Sequence, residues 1–138
     1  MTSDAGFHLR AIGRVESSLT DPATAPLQGD EGGPDAWLVF EPDVRPALDG
    51  LRAGDRVVVL CWLDRARRDV LRVHPRGDPR NPESGVFATR SPDRPNPIGL
   101  HEVRVLAVEG NRLHVEPLEA VDGTPVVDVK PVLRSPRA

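Results

Sequence analysis

A chain of 138 residues, 38% hydrophobic and 28% charged, has the size of one soluble domain with a real core. No apolar run approaches the roughly 18 to 20 residues of a membrane-spanning helix, and "MTSDAGFHLR" lacks the basic start and apolar centre of a secretory signal, so a cytoplasmic protein with no membrane partner is expected. A formal net charge of −3 excludes a uniformly basic nucleic-acid binder, though not a local basic face.

From the start of the chain, "FHLRAIGRV" (Phe7–Val15) alternates as a strand should. Ser17–Asp35 is long for a loop in a compact domain and is a candidate binding loop. It contains "GDEGGP", but no helical pattern follows to offer a phosphate-binding N-terminus. "AWLVF" (Ala36–Phe40) reads as a short buried strand. "EPDVRPALDGL" is the one helix candidate, opened by Pro42 or Asp43, limited to a turn or two by Pro46 and closed by Gly50. "RVVVLCWL" (Arg56–Leu63) reads as a central strand. Its Cys61 is the only cysteine, so it forms no internal disulfide, and it reads as a small buried apolar residue. "DVLRV" (Asp69–Val73) is expected to pair with that strand through the Arg-rich connection. His74–Gly85 is a second long loop.

The stretch "FATRSPDRPNPIGL" (Phe87–Leu100) carries the most chemistry. "GVFATR" continues as a strand to about Arg90, and the prolines then forbid ladder pairing and stiffen the loop before any ligand arrives. Arg90 and Arg94 offer planar donor forks for a carboxylate or phosphate. Asn96 carries both a donor and an acceptor, which suits an adenine edge, and Gly99 permits close backbone approach. The other reading is a rigid crossover whose arginines face acidic neighbours. Charge is uneven here: residues 64–94 hold eight arginines and five acids, whereas residues 1–55 hold ten acids and four bases.

Further on, "VRVLAV" and "RLHVEPL" flank Gly110-Asn111, a hairpin signal. "PVVDVKPVL" (Pro125–Leu133) alternates so that Asp128 and Lys130 share one strand face. The four histidines are scattered without paired short spacing, so no metal site is expected. Short strands with turns between them predict an all-β sandwich or barrel. No G-x-G-x-x-G opens a helix, so a doubly wound dinucleotide fold is excluded.

"GVFATRSPDRPNPIGL", "VDGTPVVDVKP" and "IGRVES…PLQG" together resemble the TrmO/TsaA-like family over about residues 10–133. The resemblance implies an all-β fold, a small β-barrel with one short helix and long loops. It implies a single domain over residues 1–138, without the additional C-terminal tRNA-associated domain of longer relatives. It further implies S-adenosylmethionine-dependent methyl transfer, N6-methylation of threonylcarbamoyladenosine at position 37 of tRNA, and a homodimer. By motif position, Arg90 and Leu100 match cofactor contacts, with Asn96 between them. Asp64 with Arg65 match a second contact, Gln28, Gly29 and Asp30 a third, and Glu116, Pro117, Leu118 and Glu119 a fourth. The chain departs from the family at Ala53–Val57, where relatives carry an aromatic-Ser-His segment, and at His101, where they carry Ser. Asp128, Lys130 and Asp122 are the candidates for the acceptor side. A small metabolite or another RNA as acceptor, or a non-catalytic module binding the same donor, are the other readings.

Overall fold

The computed structural model describes residues 6–21 and 33–133. Among the described residues eight strands run in chain order: β1 (Gly13–Glu16), β2 (Ala36–Phe40), β3 (Arg56–Trp62), β4 (Arg72–Val73), β5 (Ser84–Gly85), β6 (Ile98–Glu109), β7 (Arg112–Glu116) and β8 (Pro125–Pro131). Six of them close a barrel in the order β1-β2-β7-β6-β3-β8, with β1 pairing back onto β8. Every pairing in the barrel is antiparallel, and closure leaves the barrel itself without an edge strand.

Strand parity sets inside and outside. Val57, Val59 and Cys61 of β3 and Val103 and Val105 of β6 are fully buried. They meet Leu38 of β2, Leu113 and Val115 of β7, and Val126 of β8 in one core. Irregular register between Val105 and Ala107 on β6, and between Leu60 and Cys61 on β3, bends the sheet round as bulges do. Gly13 of β1 is where the wall is tightest: a Cβ there would lie 2.7 Å from the Val39 carbonyl oxygen and 3.1 Å from the Phe40 Cα. Backbone cannot step aside, so Gly13→Ala is expected to cost about 1–3 kcal/mol of stability. Urea denaturation reads this; an unchanged midpoint would contradict the β1–β2 register.

Several sequence expectations hold. Pro42–Leu48 is a 3-10 helix beginning at proline and containing Pro46, followed by Gly50 at φ 96°. It inserts Leu48 into the core. Glu109 and Arg112 pair across Gly110-Asn111, with Gly110 at φ 64°. Asp128 and Lys130 lie on one face, 3.4 Å apart at their charged atoms.

Three expectations are corrected. The first strand starts at Gly13, not Phe7; Phe7 and Leu9 stand exposed, outside any ladder. β4 pairs with β5 rather than β3, because the connection is drawn onto the proline loop: Arg67 N–H donates to Asp93 Oδ1 and Arg94 N–H to the Arg67 carbonyl. "GVFATR" does not continue as a strand; Val86–Ala88 is a 3-10 turn. The Val86 carbonyl accepts from the Thr89 N–H, the Thr89 hydroxyl and the Arg94 guanidinium, which leaves it nothing for a ladder. β6 then begins at Ile98, ahead of the apolar run that announced it.

Candidate functional site

At one end of the barrel β1, β3 and β7 finish and β2, β6 and β8 begin. Three connections cross this rim, β1 to β2, β3 to β6 and β7 to β8, and hydrogen bonds tie them together. Leu63 N–H donates to the Pro97 carbonyl at 2.8 Å, fixing the exit of β3 to the entry of β6. Arg68 reaches from the same exit to the Pro95 carbonyl at 2.8 Å and Asn96 Oδ1 at 3.0 Å, with its guanidinium 5.2 Å from the Trp62 ring centroid. Arg65 donates to the Thr20 carbonyl at 3.3 Å. Leu118 N–H donates to the Pro34 carbonyl at 2.8 Å, and a Cβ on Gly33 would meet the Leu118 backbone at 3.1 Å. Both described flanks of the loop that carries Gln28, Gly29 and Asp30 are therefore anchored to other candidate segments. Those three residues themselves lie outside the described residues.

The remaining candidates divide by what their polar atoms already do. Arg90 is exposed, and its guanidinium has no partner among the described residues. Arg94 instead donates to the Val86 and Thr89 carbonyls and holds the loop in shape. Asn96 gives its oxygen to Arg68, so only its amide N–H groups are left to meet a ligand. Asp64 is exposed at the rim. Glu116 is paired with Arg104 at 2.9 Å on the outer wall. Pro117 follows through a cis peptide bond, and Leu118 is fully buried. Asp122 accepts the Ser17 N–H at 3.0 Å and donates its own N–H to the Leu19 carbonyl, a turn anchor some way round the rim from β6. Leu100, Leu60 and Asp128 form one cross-strand row, pointing outward, so Leu100 and Asp128 stand two strand spacings apart, about 10 Å. Lys130 sits one row further, opposite Val58.

The sequence reading passed over the group buried just inside this rim. His101 is 7% exposed, and its Nδ1–H donates to Glu119 Oε1. His101 Nε2 has no partner and lies against Gly99, where a Cβ would come within 2.6 Å of it. Strand parity was the available signal: Gly99, His101, Val103 and Val105 alternate inward. Cys61 faces Gly99 across the ladder. Burial, reinforced by the Glu119 carboxylate, pushes its thiol up from 9.0 to about 12.

That shift has a consequence for stability. Between pH 9.0 and about 12 the folded protein keeps a thiol proton that the unfolded chain releases, so stability falls as pH rises through this window. The slope approaches about 1.4 kcal/mol per pH unit at its steepest. With no tyrosine and a single lysine in the chain, few other groups titrate there. Cys61→Ala is expected to flatten the decline, read from urea midpoints at several alkaline pH values; equal slopes would show that the thiol is not buried.

Two surface cavities of about 360 Å³ each flank the barrel. One lies at the far end, lined by Leu51, Gly54–Val57, Pro131 and Val132. The other is beside Trp37 and Asp122. Neither is lined by Arg90, Leu100 or Glu119; the second lies on the rim itself, with Asp122 in its lining.

The family model of the tRNA-methyltransferase O N-terminal domain matches residues 14–136. A probable S-adenosyl-L-methionine-binding protein of Archaeoglobus fulgidus is 45% identical over 123 residues, 89% of this chain but 33% of that protein. A probable S-adenosyl-L-methionine-binding protein of Methanothermobacter thermautotrophicus is 42% identical over 129 residues, 94% of this chain and 92% of its own length. A crystal structure of TrmO from P. aeruginosa superposes with a TM-score of 0.78 at 28% identity, covering 100% of this chain and 60% of that one. The chain thus spans a third of the Archaeoglobus relative and about three fifths of the solved TrmO chain.

Proposed function

The chain belongs to the tRNA-methyltransferase O N-terminal domain family, and from that premise we propose that it is an S-adenosylmethionine-dependent methyltransferase whose acceptor is N6 of threonylcarbamoyladenosine at position 37 of tRNA. The observation that carries the donor assignment is the match to a probable S-adenosyl-L-methionine-binding protein over 94% of the chain, joined to the convergence of the described candidate segments on one rim.

The residues there suit the donor's chemistry. It has a carboxylate, for which the unpartnered Arg90 guanidinium is a match. Its adenine needs an apolar wall and a polar group at its edge; exposed Ile98 and Leu100 and the free amide of Asn96 suit these. Its sulfonium carries a positive charge, and the Glu119 carboxylate is the acid held nearest the barrel mouth on the "EPLE" segment. Bound at this rim, S-adenosylmethionine would supply an electrophilic methyl group to the acceptor nitrogen.

The protein's contribution is alignment. The proline loop, latched by Arg68 and Arg94, holds Arg90 and Asn96 in place before ligand arrives, which reduces the ordering needed on binding. Asp128 and Lys130 shape or polarise the acceptor side, an assignment supported by the outward row that Asp128 shares with Leu100. Asp122 is the weaker acceptor-side candidate, since one of its oxygens already anchors Ser17. A homodimer belongs to the same proposal.

The test is methyl transfer from labelled donor to tRNA taken from cells lacking the modification, with mass spectrometry of the nucleosides. Label on N6 of threonylcarbamoyladenosine is the expected result. Donor binding without label on any tRNA would overturn the tRNA acceptor while leaving the donor site standing.

A further inference from the structure

The His101–Glu119 pair places two ionisable side chains just inside the rim, and burial of this kind asks for a reason. A carboxylate 14% exposed and an imidazole 6% exposed at their side chains are costly to desolvate unless their bonds are made. The pair makes one of them, Nδ1–H to Oε1. His101 Nε2, packed against Gly99 and 2.6 Å from where a Gly99 Cβ would be, makes none. The ring lies between Gly99 and Glu119. Glu119 Oε1 is thereby fixed, while Oε2 has no hydrogen-bond partner among the described residues. The charge is felt inside the barrel, where Glu119 helps to raise the Cys61 thiol. The backbone N of Glu119 lies 3.3 Å from where a Gly33 Cβ would be, so the Glu119 backbone packs against Gly33.

We propose that His101 is a positioning residue that holds the Glu119 carboxylate as a fixed negative charge at the rim, and that this charge makes the site prefer the sulfonium donor over the neutral thioether product. The inference rests on the donor reading given above. Its chemistry is a difference in charge: S-adenosylmethionine and S-adenosylhomocysteine share adenine, ribose and amino-acid ends, and differ by one methyl and one positive charge at sulfur. A carboxylate in a partly water-excluded position attracts the cation more than water-exposed charges would, and has no comparable interaction with a thioether. Discrimination of this kind releases product as well as selecting donor, because specificity is a difference of two affinities.

Calorimetric titration of the full chain with each of the two compounds tests this. Glu119→Gln keeps an oxygen to accept from His101 and removes only the charge. It is expected to weaken S-adenosylmethionine about ten- to hundredfold, the range for a lost charged interaction, while S-adenosylhomocysteine changes by less than about threefold. His101→Leu, which leaves Glu119 unheld, is expected to shrink the donor-to-product ratio. His101→Asn, which can still donate to Oε1, is expected to restore most of it, with circular dichroism confirming the fold of each variant. A merely structural role would weaken both ligands together and leave the ratio unchanged, and that result overturns the proposal with the donor site intact. Wild-type protein that binds neither compound overturns the donor reading and this inference with it.

Discussion

Leu118→Ala is expected to destabilise the protein by about 2–5 kcal/mol, the range for truncating a fully buried leucine. Leu118 is 0% exposed and joins the main core from the connection that crosses the barrel mouth after β7. The same residue ties the rim together, through its N–H on the Pro34 carbonyl, and it precedes Glu119. Urea denaturation should show a lower midpoint with an unchanged slope, the signature of lost stability without a changed unfolded state. A change within about 0.5 kcal/mol, typical of surface positions, would mean that Leu118 does not close the barrel end.

Arg90→Ala is expected to behave in the opposite way. Its guanidinium has no partner among the described residues, so its removal should leave stability within about 0.5 kcal/mol of wild type. Donor affinity should fall by about 1–3 kcal/mol, roughly five- to 150-fold, because a charged hydrogen-bond donor to the ligand carboxylate is lost. Arg94 supplies the control four residues away. It donates to the Val86 and Thr89 carbonyls, so Arg94→Ala should reduce stability first and affinity as a consequence. Calorimetry combined with denaturation separates the two. Unchanged donor affinity in folded Arg90→Ala would remove that residue from the site.

The difference between these arginines also marks the limit of what the chain discloses when read as letters. Both offered the same planar fork on the same proline loop. Which one is engaged depends on where the Val86 carbonyl points, and that is decided by a 3-10 turn capped from eight residues away. The same capture explains why "GVFATR" read as a strand and is not one. β3 was legible because Val57, Val59 and Cys61 alternate into a barrel that buries one face, and parity fixes such a strand without knowledge of its partners. β4 was not, because its partner is chosen by the ties among Arg67, Asp93 and Arg94, which bring distant segments together. The hairpin at Gly110-Asn111 is local turn chemistry and was plain. At the site, motif resemblance pointed to the rim segments, whereas their division into free and engaged groups came only from hydrogen bonds. His101 could have been found from parity: a histidine at an inward position of β6 must have a partner, and Glu119 is that partner.

The central claim is that the methyl donor binds at the rim where β6 begins and the "EPLE" segment crosses. Amide chemical-shift mapping during titration with S-adenosylmethionine tests it most directly. The expected result is saturable shifts at Arg90, Asn96, Gly99–His101 and Leu118–Ala120, with the far end of the barrel silent. Shifts confined to Leu51–Val57 and Val132, beside the cavity at that far end, would contradict the claim, as would no shift at all.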